Sequence, residues 1–185
     1  MTIHDTYAII YTMTRSFEAH YTVDDIQQIE SRGPWKSKSG GDLNVMLALP
    51  QEQLNVFLNF ENPEFDYIQE ASGENIRGLR SYTVSDIPRE SVGGKEWHRA
   101  RTEYVSALAG AALWQCVDLA GKEREFTLDG KSSVIVPPGI LHTFVGLEDR
   151  TALQVICNTL FVPEDPLTHD TYSRESFYDE QEARR

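Results

Sequence analysis

From about Ile76 onward the chain breaks into short runs of strand-forming residues, spaced roughly ten residues apart and punctuated by turn residues. Few folds accommodate that spacing. The runs cover residues 76–84, 101–108, 111–119, 124–128, 133–136, 143–145 and 152–161. Upstream, Leu43, Val45, Leu47 and Leu49, then Leu54, Val56, Leu58 and Phe60, alternate with polar or small residues and predict two further strands. Asn62-Pro63-Glu64 and Ala71-Ser72-Gly73-Glu74-Asn75 read as loops. Many short strands with no long helical pattern between them predict an all-β sandwich or jelly roll.

The ends of the chain look different. Residues 1–41 read as an N-terminal α/β extension: Tyr7-Ala8-Ile9-Ile10-Tyr11 is strand-like, and the stretch from Thr22 to Glu30 has a capping Thr and helical apolar spacing. Ser31-Arg32-Gly33-Pro34 stops it. Residues 173–185 form a charged tail, a short helix or a frayed end. This leaves 42–172 as one jelly-roll domain, in a chain of 185 residues that is long enough to bury a proper core.

Seventeen basic against twenty-nine acidic residues give a formal charge of −12, which argues against nucleic acid or an anionic membrane as partner. No apolar run reaches the roughly eighteen residues of a membrane span, and the N-terminus carries no basic region followed by an apolar stretch. A cytoplasmic protein is expected. Cys116 and Cys157 both sit in apolar strand-like runs, so they read as buried core residues and not as a disulfide framework.

Chemistry concentrates in two places. The first is Glu96-Trp97-His98, followed by Glu103; on a strand, Glu96 and His98 share a face. The second is Pro137-Pro138-Gly139-Ile140-Leu141-His142, where a Pro-Gly turn precedes a histidine. Two imidazoles and two carboxylates suit a divalent first-row metal, and equally proton transfer at a carbon beside a carbonyl. His4, His20 and His169 stand outside both motifs and read as surface histidines; Trp97, Tyr104 and Trp114 read as packing residues.

These two motifs resemble those of the cupins, the double-stranded β-helix superfamily. Glu96-x-His98, four residues, Glu103, six residues and Gly110 match the first motif, with Glu96 standing where the family has its first histidine. Gly130, six residues and Pro137-Pro138-Gly139-Ile140-Leu141-His142 match the second. The resemblance runs from residue 76 to residue 168. Within the superfamily, the segment from Arg80 to Pro88 and Gly93-Gly94-Lys95-Glu96-Trp97-His98 are similar to the lead-in strand and histidine motif of dTDP-sugar 3,4-ketoisomerases, with Gly93 in the arginine position. The stretches from Gly110 to Leu119 and from Ile135 to Gly139 resemble the RmlC-like 3,5-epimerases, whose late-strand tyrosine has no counterpart between Gln154 and Leu160. The segment from Phe161 to Thr168 resembles the exit from the zinc-containing cupin domain of capsular-sugar reductases.

The resemblance implies a cupin jelly roll and an isomerase or epimerase acting on a dTDP- or UDP-linked keto-sugar, with His98, His142 and Glu103 as catalytic residues and His98 as acid/base. It also implies a ligand set of Glu96, His98, Glu103 and His142 for zinc, iron, manganese or nickel. That set suits a second activity, a metal-dependent oxygenase, lyase or cyclase on a small metabolite. A third reading is a non-catalytic cupin that binds a sugar or effector. Lys95, Arg99 and Arg101 flank the first motif, where guanidinium groups would suit a diphosphate. Edge strands need cover, so a homodimer in which the extension packs on its neighbour is expected.

Overall fold

The computed structural model describes Phe17 and residues 21–185. The strand-like run Tyr7 to Tyr11, His4 and His20 lie outside the described residues. Twelve strands follow in chain order: β1 Gln27–Glu30, β2 Arg32–Lys36, β3 Asp42–Val45, β4 Arg77–Ile87, β5 Val92–Trp97, β6 Glu103–Ala109, β7 Ala112–Val117, β8 Glu123–Leu128, β9 Ser132–Val136, β10 Leu141–Gly146, β11 Thr151–Thr159 and β12 Tyr172–Ser173. Ten of them build two antiparallel five-stranded sheets, ordered β1-β9-β6-β11-β4 and β12-β5-β10-β7-β8, while β2 and β3 make a separate hairpin.

Alternation explains how the sheets face each other. On β7, Ala112, Trp114 and Cys116 are buried while Leu113, Gln115 and Val117 are half-buried. The inner residues meet Val105, Val134, Leu153 and Val155 from the opposite sheet, together with Phe126, Leu128 and Ile140, in the main core. Both cysteines are free and buried, and burial pushes the Cys116 thiol up to about 12.

Two segments depart from their sequence reading. Residues 51–58 form helix α1 (Gln51–Leu58), not a strand. The apolar positions Leu54, Phe57 and Leu58 fit a helical period as well as Leu54, Val56 and Leu58 fit a strand; Pro50 at its start and Asn59 in a left-handed conformation at its end frame a helix. Packing decides the matter. Phe57 and Leu58 pack with Tyr104 and Ile135 on the outer face of the first sheet, and Val56 is 63% exposed. Residues 22–30 begin as expected, with a capping box between Thr22 and Asp25, but the helix stops after one 3-10 turn over Val23–Asp25. Gln27 to Glu30 then pair with β9, which offers a complete ladder of backbone partners. Residues 27–30 thus contribute a strand to the jelly-roll sheet.

Helix α2 (Glu64–Ser72) runs from the segment read as a loop into Gly73, whose positive φ closes its C-terminus. It packs Phe65 and Ile68 on Ile76 and Ala100. Helix α3 (Arg174–Glu182) settles the tail as ordered helix: Phe177 is fully buried, its ring edge-on to Trp97 at 5.8 Å. β12 pairs Tyr172 with Trp97 and Ser173 with Glu96. Among the described residues, no helix is long and apolar enough to cross a membrane.

The helical assignment of 51–58 makes a direct prediction. Phe57→Ala should lower the urea-unfolding free energy by about 3–5 kcal/mol, whereas Val56→Asp should change it by less than about 0.5 kcal/mol. The reverse order would restore the strand.

Candidate active site

β5 and β10 lie side by side and place Glu96 opposite His142, so the two side chains share a face. The register slips between His142 and Thr143, leaving Lys95 as an extra residue with φ 69° after Gly94 with φ 73°. This is a β-bulge, and it re-aims the end of β5. Gly93 serves the same local packing: a Cβ there would lie 2.2 Å from the Phe144 ring. The arginine found at this position in the ketoisomerase motif would need the space that Phe144 occupies.

Beyond Trp97 the chain leaves β5 and crosses to β6 through His98 to Thr102. Its amides are gathered by one buried side chain. The Asp170 carboxylate accepts hydrogen bonds from the backbone N–H groups of Arg99 (3.0 Å), Ala100 (3.0 Å) and Arg101 (2.7 Å). Gly139 donates its N–H to the His98 carbonyl at 2.8 Å, which ties the Pro-Gly turn of the second motif to the first. Arg99 is fully buried and pairs with Glu64 of α2 at 2.7 Å.

His98, Glu103 and His142 meet inside, each no more than 3% exposed. His98 Nε2 lies 3.4 Å from Glu103 Oε1, and His142 Nε2 lies 3.5 Å from Glu103 Oε2. Tyr82 donates its hydroxyl to Glu103 at 3.3 Å, and Arg101 Nη1 donates to the same oxygen at 3.3 Å. Arg101 also reaches the His169 carbonyl and Thr171 Oγ1. Trp114 stacks on His142 with ring centroids 5.2 Å apart, and Phe144 continues the stack.

Electrostatics follow from this arrangement. Burial alone would raise the Glu103 carboxyl, but His98, His142 and Arg101 outweigh it and hold the group well below 4.5, so it is a carboxylate. Burial pulls His142 below 6.5 against the opposing pull of Glu103, which favours its neutral form. Burial and Glu103 both push the Tyr82 phenol upward. His98 Nδ1 lies 2.6 Å from the Asp170 carbonyl and His142 Nδ1 3.2 Å from the Ile140 carbonyl. A carbonyl only accepts, so each Nδ1 carries the proton and each Nε2 presents a lone pair when the ring is neutral. Lone pairs facing a carboxylate call for a cation or a shared proton between them. His98 Nε2 is buried and makes no hydrogen bond.

The donor set suits a metal. Ligand atoms of Glu96, His98 and His142 lie within 4.8 Å of one another. Two imidazole nitrogens and a carboxylate oxygen fit zinc, iron(II), manganese or nickel, and the unbonded His98 Nε2 is the kind of atom an ion would satisfy. Glu103, the fourth residue of the expected set, sits beside both imidazoles with its oxygens also engaged by Tyr82 and Arg101.

The flanking cations fall differently from their sequence reading. Arg99 and Arg101 are buried in ion pairs with Glu64 and Glu103, while Lys95 is exposed on the bulge. His169 is half-buried against Phe161. Sequence reasoning passed over Tyr82 and Asp170 as site residues. Alternation on β4 could have pointed Tyr82 inward; nothing local marks Asp170, which lies 72 positions from His98.

No protein-family model matches the chain, and no curated protein matches its sequence. Solved structures match its fold. A sugar 3,4-ketoisomerase from Thermoanaerobacterium thermosaccharolyticum, solved with TDP, superposes with a TM-score of 0.57 at 13% identity over 88% of this chain and 98% of that one. A dTDP-4-dehydrorhamnose 3,5-epimerase from Bacillus anthracis, with TDP and pyrophosphate bound, gives 0.55 at 14% over 86% and 82%. A 3′-monoepimerase from Streptomyces bikiniensis, a double mutant in complex with dTDP, gives 0.55 at 14% over 81% and 69%. The chain therefore has the RmlC-like, cupin-type jelly-roll fold.

Asp170→Ala should destabilise the protein by about 3 kcal/mol or more, because three buried amides lose their acceptor. Chemical denaturation checks this; an unchanged midpoint would mean that water replaces the carboxylate.

Proposed function

We propose that this protein is a cupin enzyme that moves a proton beside the ketone of a nucleotide-linked keto-sugar, as an isomerase or epimerase. One observation carries the reading: His98 is locked by its Nδ1 at the Asp170 carbonyl, and its unbonded Nε2 faces the Glu103 carboxylate. A neutral imidazole so held is a general base. Taking a proton at Nε2 turns it into an imidazolium next to an anion already in place, so Glu103 stabilises the charge that appears on His98. Tyr82 is a neutral donor at the same carboxylate, and His142 is placed to pass a proton through Glu103. The likeness in fold to sugar ketoisomerases and epimerases, several solved with TDP, supports the choice of substrate class.

The chemistry requires a substrate with an acidic C–H next to a carbonyl. A related complex contains TDP-4-keto-6-deoxyglucose, and that is the compound to offer first. His98→Ala should reduce turnover by about 10²–10⁴-fold, with the wild-type fold retained by circular dichroism. Full activity in that variant would remove His98 from the mechanism.

The second reading, a metal-dependent cupin, rests on the closeness of Glu96, His98 and His142. A divalent ion held there would polarise a carbonyl oxygen as a Lewis acid. Elemental analysis of protein purified without chelator should then find close to one metal per chain, lost in His98→Ala and His142→Ala. Absence of metal from wild type would leave the imidazoles as bare acid/base groups. The proposed setting is a cytoplasmic homodimer.

A further inference from the structure

Proton transfer beside a ketone leaves a charge to be held. When the C–H bond breaks, its electron pair moves toward the carbonyl oxygen, and the enolate that forms needs a donor already in place. His98 takes the proton at Nε2 and has no second proton to offer that oxygen from the same nitrogen. Tyr82 and Arg101, the donors at Glu103, are engaged with its carboxylate. Arg101 Nε makes no hydrogen bond, but its guanidinium is neutralised by that same carboxylate.

Trp114 is different. It lies in the core between the sheets and is 3% exposed, yet among the described residues its indole Nε1 finds no hydrogen-bond partner. Burying an N–H without an acceptor costs about 1–3 kcal/mol, which a phenylalanine at this position would avoid. The ring is held firmly. It stacks at 5.2 Å and 15° on His142, and at 5.9 Å and 7° on Phe144, its partner across the ladder between β7 and β10. The His142 ring lies in turn 5.1 Å from that of His98, so two ring spacings separate the indole from the base. The direction of the N–H follows from its neighbour. Burial raises the Cys116 thiol and the Trp114 N–H draws it down, which puts the indole nitrogen on the Cys116 side of the ring; sulfur is a weak acceptor, and the contact falls short of a hydrogen bond. Cys116 stands directly opposite His142, and His142 opposite Glu96. The unbonded N–H is therefore turned toward the row of residues that forms the site.

We propose that the Trp114 indole N–H donates a hydrogen bond to the ketone oxygen of the substrate and stabilises the enolate while His98 holds the adjacent proton. The proposal rests on the proton-transfer reading and adds to it the group that meets the developing charge. The indole keeps its own proton throughout; when the substrate proton returns to carbon, the C–H bond re-forms and the electron pair on oxygen restores the ketone. Stacking on His142 fixes the donor, and the apolar walls of Val105, Val134 and Leu153 strengthen its hydrogen bond by keeping water away.

Two measurements test it. In His98→Ala, where turnover is blocked, the nitrogen–proton correlation spectrum carries the indole signals of the three tryptophans; TDP-4-keto-6-deoxyglucose should move that of Trp114 downfield, and TDP alone should leave it in place. In Trp114→Phe, which keeps a stacking ring without the N–H, kcat should fall by about 10²–10³-fold with KM nearly unchanged. A role in packing alone would lower stability and leave the indole shift untouched. The first measurement retains Trp114, so it stands even where Trp114→Phe folds poorly. An indole signal that ignores bound keto-sugar, or an undiminished kcat in Trp114→Phe, would overturn the donor and leave proton transfer by His98 standing. A signal that moves equally with TDP would overturn it as well, since TDP lacks the sugar ketone. Wild type that neither binds the keto-sugar nor puts deuterium into it would overturn both readings.

Discussion

A carboxylate in a dry interior must be matched, and the matching of Glu103 organises this molecule. Burying a lone carboxylate costs several kcal/mol even after relaxation, on the order of what a whole domain retains as net stability. Arg101, Tyr82, His98 and His142 therefore converge on it from β4, β10 and the crossing between β5 and β6. Each partner then needs its own support. Asp170 holds the amides of the crossing and, through its carbonyl, the ring of His98. Helix α2 supplies Glu64 for Arg99, and the segment from β12 to α3 covers the edge of β5. Helix α2 and the C-terminal segment are additions to the jelly roll that support the residues around this buried charge.

That hierarchy explains what could be read in advance. Strand alternation reports burial on a sheet face, so the ladder from β6 to β11 was legible almost residue by residue. The two motifs carried their own geometry: a Glu and a His two apart beside a turn that delivers another His. Residues 51–58 were ambiguous because their apolar residues satisfy two periods at once, and only the contact of Phe57 with Tyr104 and Ile135 separates them. The capping box at Thr22 was read correctly, yet a cap starts a helix without fixing its length; pairing with β9 ended it. Asp170 was illegible for a different reason. Its role is to accept hydrogen bonds from distant backbone, and any sequence supplies backbone amides.

The arginines carry the same lesson about charge. Read along the sequence, Arg99 and Arg101 beside the motif are the natural cations for an anionic substrate. In the fold both are consumed by internal carboxylates. Proximity in sequence located cations that build the site and not ones that are left for a ligand.

The central claim is that His98 Nε2 exchanges a proton with a carbon next to a ketone. The most direct test is proton NMR of TDP-4-keto-6-deoxyglucose in deuterium oxide with wild type and His98→Ala. Deuterium appearing at a carbon flanking the ketone with wild type, and not with the variant, is the predicted result. No incorporation with wild type, or equal incorporation with both, would contradict the account.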